Sequence, residues 1–285
     1  MGLMDRFRRQ DEEEQRSLDD PGSIRRALWL EQFDVHFQPV VDLQSGSLVG
    51  IEAFVRWEHP DVGVIPAQRF VPVAERAGLL LPLDIDTLRT ASAFRRDLTA
   101  ASQLRVTLNL SQTELIHPDL VETLREILDQ TGLPTEQLEV ELSEAALEAD
   151  PDVIAETVRK LHASGVAISI DDFGSDPEHL KLVQRLPVDQ VKIDLSRVID
   201  LPDAAEGDER AALEAQRAAA EASIERAVRQ AQEWGLEIGA KRVESLEHLR
   251  FLRGLGITRA QGFVLGRPVS SSEFGHDASD LQQSA

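Results

Sequence analysis

The stretch FDVHFQPVVDLQSGSLVGIEAFVRW, residues 33–57, decides the fold. Its β-branched and alternating apolar residues predict two strands, at 33–43 and 49–57. Only the short link 44–48 separates them, whereas a parallel crossover needs about a dozen residues or more. We therefore predict that these two strands form an antiparallel hairpin.

Further along the chain, β-type runs alternate with segments of helix length. Further strands are predicted at 105–111, 138–146, 167–174, 190–198, 237–244 and 259–266. Helices are predicted at 87–99, 118–129, 150–163 and 245–255. This alternation indicates right-handed βαβ units around a parallel sheet, and eight strands can close into a barrel. The predicted fold class is α/β, a modified TIM (β/α)8 barrel with one antiparallel strand.

The predicted domain organisation is one barrel between two tails. Residues 1–23 are rich in charge and poor in apolar side chains, which predicts a disordered N-terminal tail. The barrel domain is predicted at 24–270, and a polar C-terminal tail at 271–285. Within the barrel, the Ala-, Glu- and Arg-rich segment 201–232 predicts a helical insertion. Its composition is consistent both with an extended surface helix and with a partner-binding helix.

Composition excludes several functional classes. The chain has 30 Lys and Arg against 51 Asp and Glu, a net charge of −21 that repels phosphate backbones, so we expect no DNA partner. The absence of cysteine excludes disulfides and thiolate metal sites. No apolar run approaches the length of about 18 residues that a membrane span requires. Because the N-terminus also carries charges where a signal peptide is apolar, we expect a cytoplasmic protein.

Polar side chains recur at or near the ends of the predicted strands. Four carboxylates and one amide stand out: Glu52, Asn109, Glu141, Asp171 and Asp172. The C-terminal strand ends of a β/α barrel converge on one face, and oxygen ligands of this kind suit Mg²⁺ or Mn²⁺. Each residue also has a structural interpretation. Glu52 could pair with Arg56, Asn109 could form a turn, and the two aspartates could cap a helix.

Six motifs then identify a family resemblance. They are FQPVVDLQSGSLVGIEAFVRWEHP, LNLSQTEL, VELSEAAL, ISIDDFGS, LPVDQVKIDLS and QGFVLGRPV. In this order they resemble the EAL domain family of bacterial cyclic di-GMP signalling, over about residues 24–270. The resemblance implies a barrel with one antiparallel strand. It also implies a two-metal phosphodiesterase that linearises cyclic di-GMP to pGpG.

The resemblance further implies roles for individual residues. It assigns metal ligation, by Mg²⁺ or Mn²⁺, to Glu52, Asn109, Glu141, Asp171 and Asp172. It assigns catalytic roles to Lys192, Glu52 and Glu244, with Lys192 contacting the attacking water. It assigns ligand or water contacts to Gln38, Arg56 and Gln261, and support of the loop after DDFG to Glu144.

Three departures from the family pattern shape the functional prediction. Phe54 replaces the leucine of the signature triplet, and the loop 174–180 reads GSDPEHL instead of a glycine-bearing run. In the third departure, Lys241 and Arg242 replace the Glu-Gly pair of AEGVE. The Lys241 ammonium could take the place of the second metal, or it could point away and pair with a surface acid. In the first case we expect Lys241 and Arg242 to contact ligand phosphates.

The leading prediction is an EAL-type protein that binds cyclic di-GMP with weak or lost hydrolysis. The first alternative is an active, Mg- or Mn-dependent phosphodiesterase that produces pGpG, because the other site residues are retained. The second alternative is a nucleotide-free interaction scaffold. Besides cyclic di-GMP, a homodimer or another protein partner remains an open expectation.

Overall fold

The computed structural model describes residues 20–98, 103–174, 176–196, 198 and 207–274. The predicted N-terminal tail therefore lies outside the described residues except for residues 20–23, of which 21–23 begin a helix. The predicted C-terminal tail is described only to residue 274. Residues 99–102, 175, 197 and 199–206 also lie outside the described part.

The strands of the described residues form one ten-stranded sheet. In chain order they are β1 (Phe33–Asp42), β2 (Leu48–His59), β3 (Gly63–Pro66), β4 (Arg105–Asn109), β5 (Leu138–Ser143), β6 (Ala167–Asp171), β7 (Gln190–Asp194), β8 (Glu237–Lys241), β9 (Arg259–Ala260) and β10 (Val269–Ser270). Their order is β10-β1-β9-β8-β7-β6-β5-β4-β2-β3, and the pairing of β1 with β2 closes eight of them into a barrel.

The reversed strand of the barrel is β1. It pairs antiparallel with β2, with Phe33 opposite Trp57, and antiparallel with β9. The strands from β4 to β9, and the contact of β2 with β4, are parallel. Asp42 fixes the hairpin turn, because its Oδ1 accepts hydrogen bonds from the backbone of Gln44 and Ser45, and Gly46 supplies the positive φ. The predicted barrel with one antiparallel strand is thus confirmed.

The helices lie on the outside of the barrel. They are α1 (Pro21–Trp29), α2 (Ala67–Arg76), α3 (Leu80–Asp97), α4 (Gln112–Leu115), α5 (Leu120–Thr131), α6 (Pro151–Ala163), α7 (Pro177–Val183), α8 (Gly207–Glu233) and α9 (Leu246–Gly254). Short 3₁₀ turns occur at Thr135–Gln137 and Glu144–Glu148. Within the described part, no helix is both long and apolar enough to cross a membrane.

The predicted elements differ from the observed ones mainly at their ends. Most of the predicted strand ranges continue too far, because polar residues near the strand ends start the next element, whereas β2 extends beyond its predicted range 49–57. Ser111 caps α4, Ser143 caps the turn Glu144–Glu148, and Asp172 has a φ of 56°. Sequence analysis also missed β3 and β10, which are too short for a periodic pattern, and α2, which contains Pro72.

The segment predicted as a helical insertion is largely the single 27-residue helix α8. Its C-terminal half packs against the barrel through Ile224, Ala227, Val228 and Ala231, and Arg217 of its N-terminal half pairs with Glu247 of α9. Most of its N-terminal half is exposed. Whether this half has a partner stays a prediction.

Candidate functional site

The parallel strands bring the predicted oxygen ligands to one end of the barrel. A cavity of about 420 Å³ opens there. Its lining includes ten predicted site residues: Gln38, Glu52, Arg56, Asn109, Glu141, Asp171, Lys241, Arg242, Glu244 and Gln261. Asp172, Lys192 and Glu144 do not line it but contact residues beside it. Residues from seven strands and the segments after them therefore meet at one cavity.

Glu52 pairs with Asn109 and not with Arg56. It is buried on β2, and its Oε1 accepts a hydrogen bond of 2.8 Å from Nδ2 of Asn109 at the end of β4. Arg56 instead donates to the carbonyl of Val55 and lies over the ring of Phe54. The alternative in which Glu52 pairs with Arg56 is therefore not the one observed, and Arg56 lines the cavity.

Lys192 lies beneath the cavity between two buried glutamates. Its Nζ forms an ion pair with Glu141 and lies 3.3 Å from Oε1 of Glu139. Burial alone would lower the pKa of Lys192, but the charges of Glu141, Glu139 and Glu52 outweigh it and raise that pKa well above its usual value. The two glutamates therefore favour the charged form of the buried Lys192 ammonium.

Lys241, the last residue of β8, turns into the site. Its Nζ forms an ion pair with Asp171 and lies 2.7 Å from Oδ1 of Asp172. Burial would lower the pKa of Lys241, but the two aspartates outweigh it and raise that pKa above its usual value. Of the two orientations left open by the sequence, the structure has the one in which the ammonium joins the acid cluster. Arg242 pairs with Asp194 at 3.3 Å.

Two glutamines from neighbouring strands pair at the edge of the cavity. Nε2 of Gln261, after β9, donates to Oε1 of Gln38 on β1 at 2.9 Å. Nε2 of Gln38 in turn donates to the carbonyl of Gly266. A Cβ at Gly266 would lie 2.5 Å from Pro39, so this position requires glycine. The pairing fixes both amides at the cavity edge.

Glu144 lies under the loop that follows β6. It is 1% exposed, and its carboxylate accepts hydrogen bonds from the backbone N–H groups of Gly174 and Asp176. His179 of α7 faces the same carboxylate. Ser175 lies outside the described residues. The geometry matches the supporting position expected for Glu144, although His179 was not foreseen.

A second cavity of about 410 Å³ adjoins the first and was missed by the sequence analysis. The two share six lining residues, Phe54, Ala67, Gln68, Asn109, Glu141 and Asp171. Much of the rest of its lining is apolar, from α2, α3, β2 and β4. The linings of these two cavities define the outline of the candidate site.

Besides the shared Glu141 and Asp171, two further acids line this cavity, Asp84 of α3 and Glu114 of α4. Burial, and then the charge of Glu114, raise the pKa of Asp84 well above its usual value. Burial also raises the pKa of Glu114. The sequence carried no signal for Asp84, and the spacing of Ser111 and Glu114 indicates only a capping box, which is indeed present.

Three acids of the main cavity, Glu52, Glu141 and Asp171, are paired with nitrogen atoms. Within the described part of the chain, no group of three or more acidic or histidine side chains is arranged to hold a metal ion. Burial, with the charges of Glu52 and Asp171, raises the pKa of Glu141 although Lys192 opposes this. Such crowding favours a bound cation, and in this structure ammonium groups fill that role.

Comparison with known proteins agrees with this geometry. The family model described as the EAL domain matches residues 22–268. The chain belongs to the EAL domain family. The predicted resemblance is thereby confirmed over almost the whole barrel.

Several EAL proteins are similar to this chain along most of its length. Cyclic di-GMP phosphodiesterase NbdA of Pseudomonas aeruginosa is 34% identical over 248 residues, which cover 86% of this chain and 30% of that protein. The bifunctional diguanylate cyclase/cyclic di-GMP phosphodiesterase MucR of the same organism is 32% identical over 252 residues, which cover 88% of this chain and 35% of that protein. The chain thus spans about a third of the length of these curated relatives.

Solved EAL structures share the fold. The PaMucR phosphodiesterase in complex with c-di-GMP superposes with a TM-score of 0.78 at 31% identity, covering 89% of this chain and 98% of that one. The EAL enzyme Bd1971, in a form bound to cAMP and cyclic di-GMP, gives a TM-score of 0.81 at 23% identity. The superposition covers 97% of this chain and 73% of that one. At that identity the second comparison supports the fold alone.

Proposed function

We propose that this EAL domain binds cyclic di-GMP at the C-terminal end of its barrel and hydrolyses it weakly or not at all. The observation that carries this proposal is the position of the Lys241 ammonium between Asp171 and Asp172. In the family resemblance these two aspartates bind the second metal of a phosphodiesterase. Here a fixed cation of the chain lies between them.

The charges around the main cavity suit a phosphodiester. Cyclic di-GMP carries two anionic phosphates, which the net charge of −21 would repel without local compensation. Three cationic side chains line the cavity, Arg56, Lys241 and Arg242. Guanidinium and ammonium groups form charge-assisted hydrogen bonds with phosphate oxygens, so phosphate binding does not depend on a metal alone.

The second cavity suits a guanine base. Guanine presents its N1–H and N2–H donors on one edge, and a carboxylate accepts two such bonds. Asp84 places a carboxyl group in an apolar cavity that shares Asn109 and Asp171 with the phosphate region. We infer that one base occupies this cavity with its donor edge toward Asp84, and that the two guanine donors draw this carboxyl group, whose pKa burial raises, into its ionised form.

The residues fit one divalent cation better than two. EAL phosphodiesterases depend on divalent metals in general. Glu52, Asn109, Glu141 and Asp171 offer the carboxylate and amide oxygens that Mg²⁺ or Mn²⁺ prefers, and we propose that they hold one such ion. When bound, it would polarise a phosphodiester and lower the pKa of a coordinated water. The second position does not fit, because a cation there would meet the charge of Lys241.

The remaining residues of the site would bind and orient the ligand. Gln38 and Gln261 are locked to one another, which fixes amide groups at the edge of the cavity. Lys192 is held by Glu141 and Glu139 and supplies a positive charge below the reacting phosphate. Glu244 lines the cavity, and its backbone N–H donates to Nδ1 of His248. We propose that Glu244 contacts the ligand or its water.

An active phosphodiesterase is the second candidate. It is favoured by the meeting of Glu52, Asn109, Glu141 and Asp171 around one cavity, with Lys192 beside them. The relative NbdA, which is named a cyclic di-GMP phosphodiesterase, also supports it. The two candidates differ only in whether Lys241 leaves the aspartates when metal is supplied.

The test is calorimetric titration of the protein with cyclic di-GMP, in EDTA and in Mg²⁺ or Mn²⁺, followed by chromatography for pGpG. Binding in EDTA with little or no pGpG under any condition supports the proposal. Rapid pGpG formation with either metal supports the active phosphodiesterase. Absence of binding under every condition would contradict both and favour the nucleotide-free scaffold. A homodimer or protein partner stays a prediction.

A further inference from the structure

His179 lies between two glutamates at the edge of the loop that follows β6. Its side chain is buried, and its Nε2 lies 2.7 Å from Oε1 of Glu148. Its Nδ1 lies 3.7 Å from Oε2 of Glu144. Both glutamates belong to the 3₁₀ turn Glu144–Glu148, whereas His179 belongs to α7. An imidazolium here joins α7 to that turn by a hydrogen bond to Glu148 and by a longer ion pair with Glu144, to which its Nδ1 makes no hydrogen bond.

The same turn holds the backbone of the loop. Glu144 accepts from Gly174 at 2.9 Å and from Asp176 at 3.4 Å. Gly174 has a φ of 81°, and a Cβ there would lie 2.6 Å from the Cβ of Ala227 on α8. Phe173 donates its N–H to the carbonyl of Lys192. The chain immediately after Asp172 is therefore fixed through Glu144, α8 and β7.

We propose that protonated His179 is a positioning residue that clamps α7 to the turn Glu144–Glu148 and thereby orders the loop beside Asp171 and Asp172. A buried carboxylate such as Glu144 needs nearby positive charge, and His179 offers it at 3.7 Å. Without that charge, Glu144 would hold the amides of Gly174 and Asp176 less firmly. The clamp itself does not need the nucleotide, and only its effect on binding rests on the proposed function.

The clamp is expected to depend on pH. The facing charged groups are Glu144 and Glu148 on the turn and Asp176 at the start of α7. Burial would lower the pKa of His179, but these three acids outweigh it and raise that pKa above the usual 6.5. Because the folded form has the higher pKa, the clamp is complete at pH below about 6.5 and is lost as pH rises through the raised value.

The test measures amide hydrogen exchange of Gly174 and Asp176 by NMR in nucleotide-free protein, between pH 5.5 and 9. The variants are His179→Gln and Glu148→Gln. The matched control is His162→Gln, since His162 pairs with Asp189 at 3.4 Å in the segments that enter β6 and β7, away from the cavity. At low pH we expect both clamp variants to exchange these two amides about tenfold faster than the wild type.

At high pH, the difference between wild type and the clamp variants should disappear, because the wild-type imidazole is then neutral. The control should match the wild type throughout. A His179→Gln effect that is absent, or equal at every pH, would overturn the proposal. So would a titration of the His179 ring at or below the usual histidine pKa.

Cyclic di-GMP titration of the same proteins gives a separate result. Unchanged affinity in variants with a loosened loop would overturn the link to the site, whereas wild type that never binds would overturn only the proposed function.

Discussion

Nζ of Lys241 at the end of β8 lies 2.7 Å from Oδ1 of Asp172, which follows the end of β6. The same ammonium pairs with Asp171. One side chain thus joins the two aspartates that, in the family resemblance, share the second metal. It supplies one positive charge where a divalent ion would supply two, and it cannot activate a water molecule as a metal does.

The replacement Lys241→Glu should raise the affinity for Mn²⁺ and increase or create pGpG production. It reverses the charge beside Asp171 and Asp172 by two units, and each unit at about 4 Å corresponds to roughly 4 kcal/mol at an effective dielectric of about 20 before solvation reduces it. We expect affinity to rise by about tenfold or more. Calorimetry with Mn²⁺ and chromatography for pGpG measure the two effects.

Lys160→Glu is the matched control for that prediction, because Lys160 forms an exposed pair with Glu156 on α6. It makes the same charge change far from the cavity and should alter neither quantity. If Lys241→Glu binds Mn²⁺ no better than wild type, the ammonium does not occupy a metal position.

The replacement Glu52→Gln should abolish any residual hydrolysis. It keeps the size of the side chain but removes an anionic oxygen ligand and the charged acceptor of the Asn109 amide. Loss of about a hundredfold or more in pGpG production is expected with either metal. Glu58→Gln, an exposed position on the same strand, is the control. Equal turnover in the two variants would show that Glu52 is not part of the reacting site.

The replacement Asp84→Asn should weaken cyclic di-GMP binding by about tenfold, because an amide cannot ionise on binding to offer two oxygen acceptors to the two guanine donors. Cyclic di-AMP, whose base presents no such donor pair, should bind the variant and the wild type equally weakly. Asp86→Asn on the exposed side of α3 is the control. Calorimetric titration measures all three proteins, and unchanged affinity in Asp84→Asn would place the base elsewhere.

The acids Asp84 and Glu114 should make the unfolding free energy fall as pH rises. Burial raises both pKa values, so the folded protein binds protons more readily than the unfolded chain. The stabilisation that these two carboxyl groups contribute is complete at pH values below the ordinary carboxyl pKa. It is lost as the pH rises through their raised pKa values. Glu114→Gln should therefore reduce this loss and be more stable than wild type at pH 8. Urea unfolding at several pH values tests the sign.

The replacement Glu139→Gln should destabilise the barrel by about 2 kcal/mol. It removes one of the two carboxylates that hold the buried Lys192, while Glu141 remains to limit the loss. Glu237→Gln is the control, because Glu237 is half-exposed and pairs with Arg105 and Arg259. It should change the unfolding free energy much less. Urea unfolding of both variants checks this, and equal effects would show that Glu139 does not compensate Lys192.

The eight barrel strands and the reversed β1 were predictable because their signals are local. The link 44–48 is too short for a parallel crossover, and the other strands are separated by segments long enough for helices. The positions of Glu52, Asn109, Glu141 and Asp171 at one cavity also followed, since parallel strands place their C-terminal ends together. Strand ends were less accurate, because caps such as Ser111 interrupt the pairing.

Side-chain partners were decided only by the tertiary structure. Lys241 could face either the cavity or the surface on the evidence of its sequence alone, and only the register of β8 beside β7 directs it to Asp171 and Asp172. Asp84 and Glu114 carry no shared sequence signal, since they belong to different helices that meet over one cavity. The sequence determined the order of strands and the chemistry available at their ends. Which charges face one another depends on distances between elements far apart in the chain, and those distances exist only once the barrel has closed.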